Sequence, residues 1–217
     1  MEQRFDGAIA GLGTTSGVRL VVGMWPRSPL GPIADVMVER PDGHRILVAP
    51  SAQAADYIAG TYSFDEVRVE PTAHRITGAV WSVAADTVRV SFAVGRRTAL
   101  GQLLSLVPRP VARNRAWCAA LDPIASRVKP GVHTVGSAGN GRREYYCAFD
   151  EHAVNALTAS LDGADLGALA RVEPPVRFGF GSSPARPSLV RVTTRITESS
   201  SLRRALARRG EDNSAQS

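Results

Sequence analysis

The richest collection of chemically capable side chains in the chain lies between Pro130 and Asp150, in the run PGVHTVGSAGNGRREYYCAFD. Two kinds of chemistry are on offer there. His133 with Glu144 or Tyr145 could act as a proton-transfer pair, and His133 with Cys147 could support nucleophilic chemistry. Separately, the glycine-rich turn Gly136–Gly141 followed by Arg142 and Arg143 offers converging backbone N–H groups beside two guanidiniums. That combination suits an anion. Ser137 and Asn140 would add side-chain hydrogen bonds, and Arg96 and Arg97 are further candidates for the same contact.

These residues need two extended runs joined by the turn. Val132–Val135 is expected to pair with Glu144–Cys147, which would let His133 approach the second strand across the ladder. Alternation then puts Glu144 and Tyr146 on one face and Tyr145 and Cys147 on the other. Asp150, Glu151 and His152 follow as a polar strand-end loop.

Other motifs are near misses. GLGTTSG (Gly11–Gly17) has GxGxxxG spacing, and the strand-like VRLVVGMW follows it where a phosphate loop needs a helix N-terminus. It reads as a flexible lead into a strand. Gly136-Ser-Ala-Gly lacks the flanking spacing of a nucleophile elbow. There is no CxxC, no HExxH and no close histidine pair, so neither a metal nor a cofactor is expected. Cys118 and Cys147 read as buried free thiols. Asp35 and Glu39 share one strand face, and Arg19 of the preceding strand is the expected partner of Asp35. Trp25, Trp81 and Trp117 read as core or rim anchors, with Trp117 and Arg113 four apart on one helix.

Further along the chain, Val18–Trp25, Ile33–Glu39 and His44–Ala49 read as an antiparallel meander, with Pro41-Asp42-Gly43 as one of its turns. Ser51 caps a helix over Ala52–Ala59 that Gly60 closes. Glu66–Glu70, Thr77–Ala84 and Thr87–Val94 are extended. A helical segment follows over about 98–128. Thr98 caps its first helix, with Leu100, Leu103, Leu104 and Val107 on one side; a second helix runs to Leu121; Asp122-Pro123 starts a third. Ala153–Leu161 is read as a strand on the strength of the Asp162-Gly163 turn, and Val176–Gly181 and Leu189–Thr197 as strands. The hairpins starting at Val18 and Val176 share a Val-Arg start, a glycine at the sixth position and a proline-rich connection. Their likeness suggests a closed sheet in which first and last strands become neighbours.

The resulting fold class is α+β: a mainly antiparallel, strongly curved or barrel-like sheet with a helical insertion. Residues 1–198 form one domain, and the basic tail 199–217 is expected to be disordered. Hydrophobic content of 44% and charged content of 21% are those of a globular chain. No apolar run reaches the roughly 18 residues of a membrane span, and the start lacks the order of a secretory signal, which predicts a cytoplasmic protein.

The formal net charge is +6, with 26 Lys+Arg of which Lys129 is the one lysine. Residues 96–129 carry seven basic groups against one acidic, Asp122. This local excess could meet an anionic membrane surface or a nucleic acid. Aromatic content is 6%, and the aromatics do not interleave with the basic run, which argues against a stacking platform for single strands. The leading functional expectation is a binding domain that holds a small amphipathic or acidic ligand against the concave face of the sheet. The alternatives are an enzyme built on His133 and a peripheral protein docking through the basic helices and tail.

Overall fold

The computed structural model describes residues 2–128, 134–138, 142–179 and 183–198. The first element is a long strand, β1 (Glu2–Thr14), running straight through the glycines expected to be a flexible lead. The meander follows as β2 (Arg19–Arg27), β3 (Ile33–Glu39) and β4 (Arg45–Ala49). Helix α1 (Ala52–Ala59) starts where Ser51 Oγ accepts the Ala54 N–H at 3.2 Å. Then come β5 (Glu66–Val69), β6 (Ala73–Thr77), β7 (Val80–Ala84) and β8 (Val88–Arg97). The run expected as one strand over Thr77–Ala84 is broken at Gly78, whose φ of 60° makes a turn between β6 and β7.

The helical segment comprises α2 (Ala99–Ser105), α3 (Arg109–Ala112) and α4 (Arg115–Val128). Helix α4 continues through Asp122-Pro123, so Asp122 does not cap a third helix. Its carboxylate accepts the backbone N–H groups of Thr134 and Val135 at 2.6 and 3.0 Å and so anchors the start of the next strand. The chain closes with β9 (Val135–Ala138), β10 (Arg142–Leu161), β11 (Ala164–Asp165), β12 (Leu169–Ala170) and β13 (Ser188–Glu198). The Asp162-Gly163 turn forms, with φ of 52° and 80°. Residues 176–179 are irregular, so the strand expected over Val176–Gly181 does not start there and the two hairpins do not share one design.

All these strands belong to one sheet whose main path runs β5-β4-β3-β2-β1-β13-β10-β8-β7-β6. Pairing along it is antiparallel except between β4 and β5. First and last strands are neighbours, in register from Glu2↔Thr197 to Gly11↔Ser188. The architecture is α+β, with a curled, barrel-like sheet. Bulges at Asp6/Ala8 in β1 and at three places in the 20-residue β10 supply local bending.

Period-two alternation sends successive residues of the central strands to opposite faces. Ala8, Ala10 and Leu12 of β1, Leu20, Val22 and Met24 of β2, and Ala34, Val36 and Val38 of β3 join Trp81, Val90 and Phe92 in one tightly buried core. That core is the inside of the curl. The opposite face is covered by α1, by α2–α4 and by the irregular segment around Val172, Val176 and Phe178.

Two buried polar features hold the covering in place, and both correct expectations. Arg19 pairs with Glu39 (3.0 Å), not with Asp35, because register sets Arg19 opposite Glu39 and Gly23 opposite Asp35. Glu39 also accepts the Arg177 N–H at 2.7 Å, which ties the irregular segment to the sheet. Cys118 of α4 and Cys147 of β10 are not free thiols; they form a disulfide, with Cα atoms 5.4 Å apart.

Candidate functional site

Between the outer face of the sheet and its helical cover lies a cavity of about 470 Å³. Its floor is made by the positions that alternate with the packed core: Ile9 and Gly11 of β1, Val21, Gly23 and Trp25 of β2, Asp35 and Met37 of β3, and Val190, Val192 and Thr194 of β13. The roof includes Leu100, Leu103, Leu104 and Val107, the four residues whose spacing predicted one apolar helix side. Leu103 is also exposed, so it stands at the rim.

Three carboxyl groups line this apolar space. On β10, the bulge between Ala148 and Asp150 shifts the alternation, so Glu144, Tyr146, Ala148 and Glu151 all contribute to the wall. Glu144 is 1% exposed. Tyr62 Oη donates to its two oxygens, each at 2.9 Å, and the Tyr146 hydroxyl stands 2.5 Å from that of Tyr62. Burial pushes the Glu144 carboxyl up to about 7, although the tyrosine hydrogen bonds oppose it. Burial also raises both phenols well above their ordinary value, and the Glu144 charge adds to the effect.

Asp35, 2% exposed, accepts the Trp25 indole N–H at 3.0 Å. Burial raises it to about 6. This arrangement requires glycine at position 23, where a Cβ would come within 2.5 Å of Asp35 Oδ1 and 2.6 Å of Trp25 Nε1. Glu151 accepts a hydrogen bond from Thr98 Oγ1 at 2.9 Å, and the same hydroxyl accepts the Gly101 N–H to cap α2. Helix α2 lies so close to β10 that a Cβ on Gly101 would meet the Glu151 carbonyl at 2.1 Å.

The sequence-derived candidates are distributed unevenly around this cavity. Glu144 is in its wall. Tyr145, one residue on, points to the other face, where the Arg143 guanidinium lies 5.8 Å from its ring. Arg142 stacks over Tyr57 at 4.7 Å and donates to Tyr57 O and Thr61 Oγ1 at 3.3 and 3.2 Å, behind two residues of the wall. Arg97 is engaged by Asp150 through two hydrogen bonds, and Arg96 is exposed at the end of β8. Ser137 lies in β9 opposite Arg143. His133 and Asn140 lie outside the described residues, as does the tail 199–217. Among the described residues no group of three or more His, Cys, Asp or Glu side chains could hold a metal ion.

Sequence reading passed over Tyr62, Thr194 and Ser188, and it gave Asp35 a structural role. The alternation of Glu144 with Tyr146 was a usable signal for one half of the cluster. Tyr62 sits 82 residues before Glu144 and carried none.

No protein-family model matches the chain, and no curated protein matches it in sequence. Among solved structures it is similar to the acetoacetate decarboxylase of Legionella pneumophila subsp. pneumophila str. Philadelphia 1, with a TM-score of 0.42 and 10% identity over 91% of this chain and 84% of that one.

Proposed function

We propose that this protein binds a small amphipathic molecule in the cavity between the outer face of the sheet and the helices. The carrying observation is the cavity itself: about 470 Å³ of apolar space with a few buried polar groups at its wall. Volumes of roughly 300–1,000 Å³ with this mixture are the usual dimensions of small-ligand sites. The site lies on the face opposite the packed core; the inside of the curl is filled by side chains such as Leu20, Val36 and Phe92.

The test uses N-phenyl-1-naphthylamine, a neutral apolar fluorophore whose emission rises in a dry site. Saturable enhancement is expected for the wild type. It should be lost in Val190→Trp, which fills the floor at the centre of β13, while the variant keeps its circular dichroism. Equal enhancement in both proteins would overturn the reading.

A second reading rests on Glu144. A carboxyl held near neutrality and hydrogen-bonded to a phenol pair is suited to proton transfer. Wild type should then catalyse α-deuterium exchange of methyl hexyl ketone in heavy water, and Glu144→Gln should not. Exchange at the same rate in both, or at the buffer rate, would remove this reading and leave the binding proposal standing.

A further inference from the structure

We propose that the polar end of the bound molecule is a cation, of the class of a protonated alkylamine, seated among Glu144, Tyr146, Thr194 and Asp35. This rests on the cavity-binding reading and names the chemical class that the site would take.

The first argument is charge balance. Asp35 and Glu144 both contribute to the lining, and none of the described lining residues is Lys, Arg or His. The Arg142 guanidinium, behind Tyr57, is directed onto Tyr57 O and Thr61 Oγ1. Among the described residues Asp35 receives one side-chain hydrogen bond, from Trp25, and pairs with no cation. The two hydrogen-bonding groups on Glu144 are phenols. Carboxyls kept in an apolar cavity without a counter-charge leave that charge for the occupant to supply.

The second argument is independent of the acids. Thr194 Oγ1 and Ser188 Oγ belong to residues only 2% and 4% exposed, both contribute to the cavity wall, and neither hydroxyl has a hydrogen-bond partner among the described residues. A buried hydroxyl without a partner costs free energy, and an occupant that hydrogen-bonds to it recovers that cost.

Register places Thr194 where it is needed. It pairs with Tyr146 on one side and Phe5 on the other, so its hydroxyl stands beside the Tyr62–Glu144–Tyr146 cluster. Asp35 reaches the same neighbourhood from β3, since its charge acts on the Tyr146 phenol along with that of Glu144. An ammonium group has three N–H donors and no acceptor. Here it would meet a carboxylate, hydroxyl oxygens and a second carboxylate, with aliphatic and aromatic wall around them for its chain.

The groups facing this position are Asp35 from β3, Glu144, Tyr146 and Glu151 from β10, Tyr57 from α1 and Tyr62 beyond it, with Arg142 behind Tyr57. Among the acids, Glu144 and Asp35 lose their protons near 7 and 6. A cationic occupant is therefore held more tightly as pH rises through that window, because the empty site must first give up those protons below it. A neutral occupant of the same shape shows no such rise.

The experiment displaces N-phenyl-1-naphthylamine from wild-type protein with octylamine, octanol and octanoate, three probes of one chain length, between about pH 5 and about pH 8. All stay in one charge state over most of this range, the amine as a cation and the acid as an anion. Octylamine should bind roughly tenfold or more tightly than octanol near neutrality, with octanoate weakest, the scale expected of hydrogen bonds to a charged group. Its affinity should rise with pH while that of octanol stays level. In Glu144→Gln/Asp35→Asn the amine should lose its advantage over octanol, both measured against the dye affinity of that same variant. If octanol or octanoate binds as tightly as octylamine across the range, the cation assignment is wrong and the cavity reading survives. If none of the three displaces the dye, or the dye does not bind, the cavity reading fails and takes the assignment with it. The wild-type ranking decides even if the double variant does not fold.

Discussion

The two faces of the central strands are built from alternate residues of the same sequence and behave in opposite ways. Leu12, Leu20, Val22, Val36 and Val38 are completely buried and touch one another across the inside of the curl. Their immediate neighbours Gly11, Val21, Gly23 and Asp35 floor a space that no side chain fills. One face is closely packed with apolar side chains. The other has a void, two carboxyls with raised pKa values and unpartnered hydroxyls. Stability is concentrated on the first face and chemical potential on the second, and a pleated sheet allows both because neighbouring side chains are separated by the backbone itself.

The largest separation of the two roles should come from Leu20→Ala. It removes a fully buried side chain from the packed face and should lower stability by about 3 kcal/mol in urea unfolding. Dye affinity should stay within twofold, because residue 20 does not line the cavity. A parallel loss of affinity would show that the two faces are not independent.

Breaking the tie between roof and floor tests the comparison from the other side. Cys147→Ser deletes the bond from β10 to α4 and should lower stability by roughly 3–4 kcal/mol, the scale expected for a bridge of this loop length. Trp117 of the roof lines the cavity and should then become more accessible to acrylamide quenching. Unchanged quenching would mean that the helices stay in place without the bridge.

Glu144→Gln addresses the charge on the cavity face. The folded value of Glu144, about 7, lies above its ordinary 4.5, so the native protein holds a proton that the unfolded chain releases between those values. Stability therefore falls as pH rises through that window. Asp35, at about 6 against an ordinary 3.8, acts in the same direction. Removing the Glu144 carboxyl should flatten the loss by on the order of 1–2 kcal/mol between about pH 5 and about pH 8. Identical pH profiles of melting temperature would show that the carboxyl does not titrate there.

The smallest effect should belong to Val21→Ala. This residue is next to Leu20 in sequence but faces the cavity, and the change should cost below about 1 kcal/mol because the void already borders it. Dye or alkyl-probe affinity should shift by a few-fold at most. A cost equal to that of Leu20→Ala would mean that the cavity face is packed in solution.

Local periodicity alone determined a good deal of this protein. The meander, the capped α1 and the Asp162-Gly163 turn follow from alternation, caps and turn residues, which act over a few positions. The same is true of the apolar side of α2, because Leu100, Leu103, Leu104 and Val107 are neighbours on any helix. Alternation also placed Glu144 and Tyr146 together. It could not say which face would be packed and which left hollow, since both faces of β1–β3 carry apolar residues and the decision depends on which way the sheet curls.

Register decided the ion pairs. Arg19 meets Glu39 because β2 and β3 align so, and a slip of a few residues would have given it Asp35. Tyr62 reaches Glu144 across 82 residues, and Cys118 reaches Cys147 across 29. Such meetings leave no local pattern, because they are set by where whole elements come to rest. What the tertiary structure alone decided was therefore the void, the buried Asp35 and Glu144 carboxyls beside it and the bridge that holds its cover.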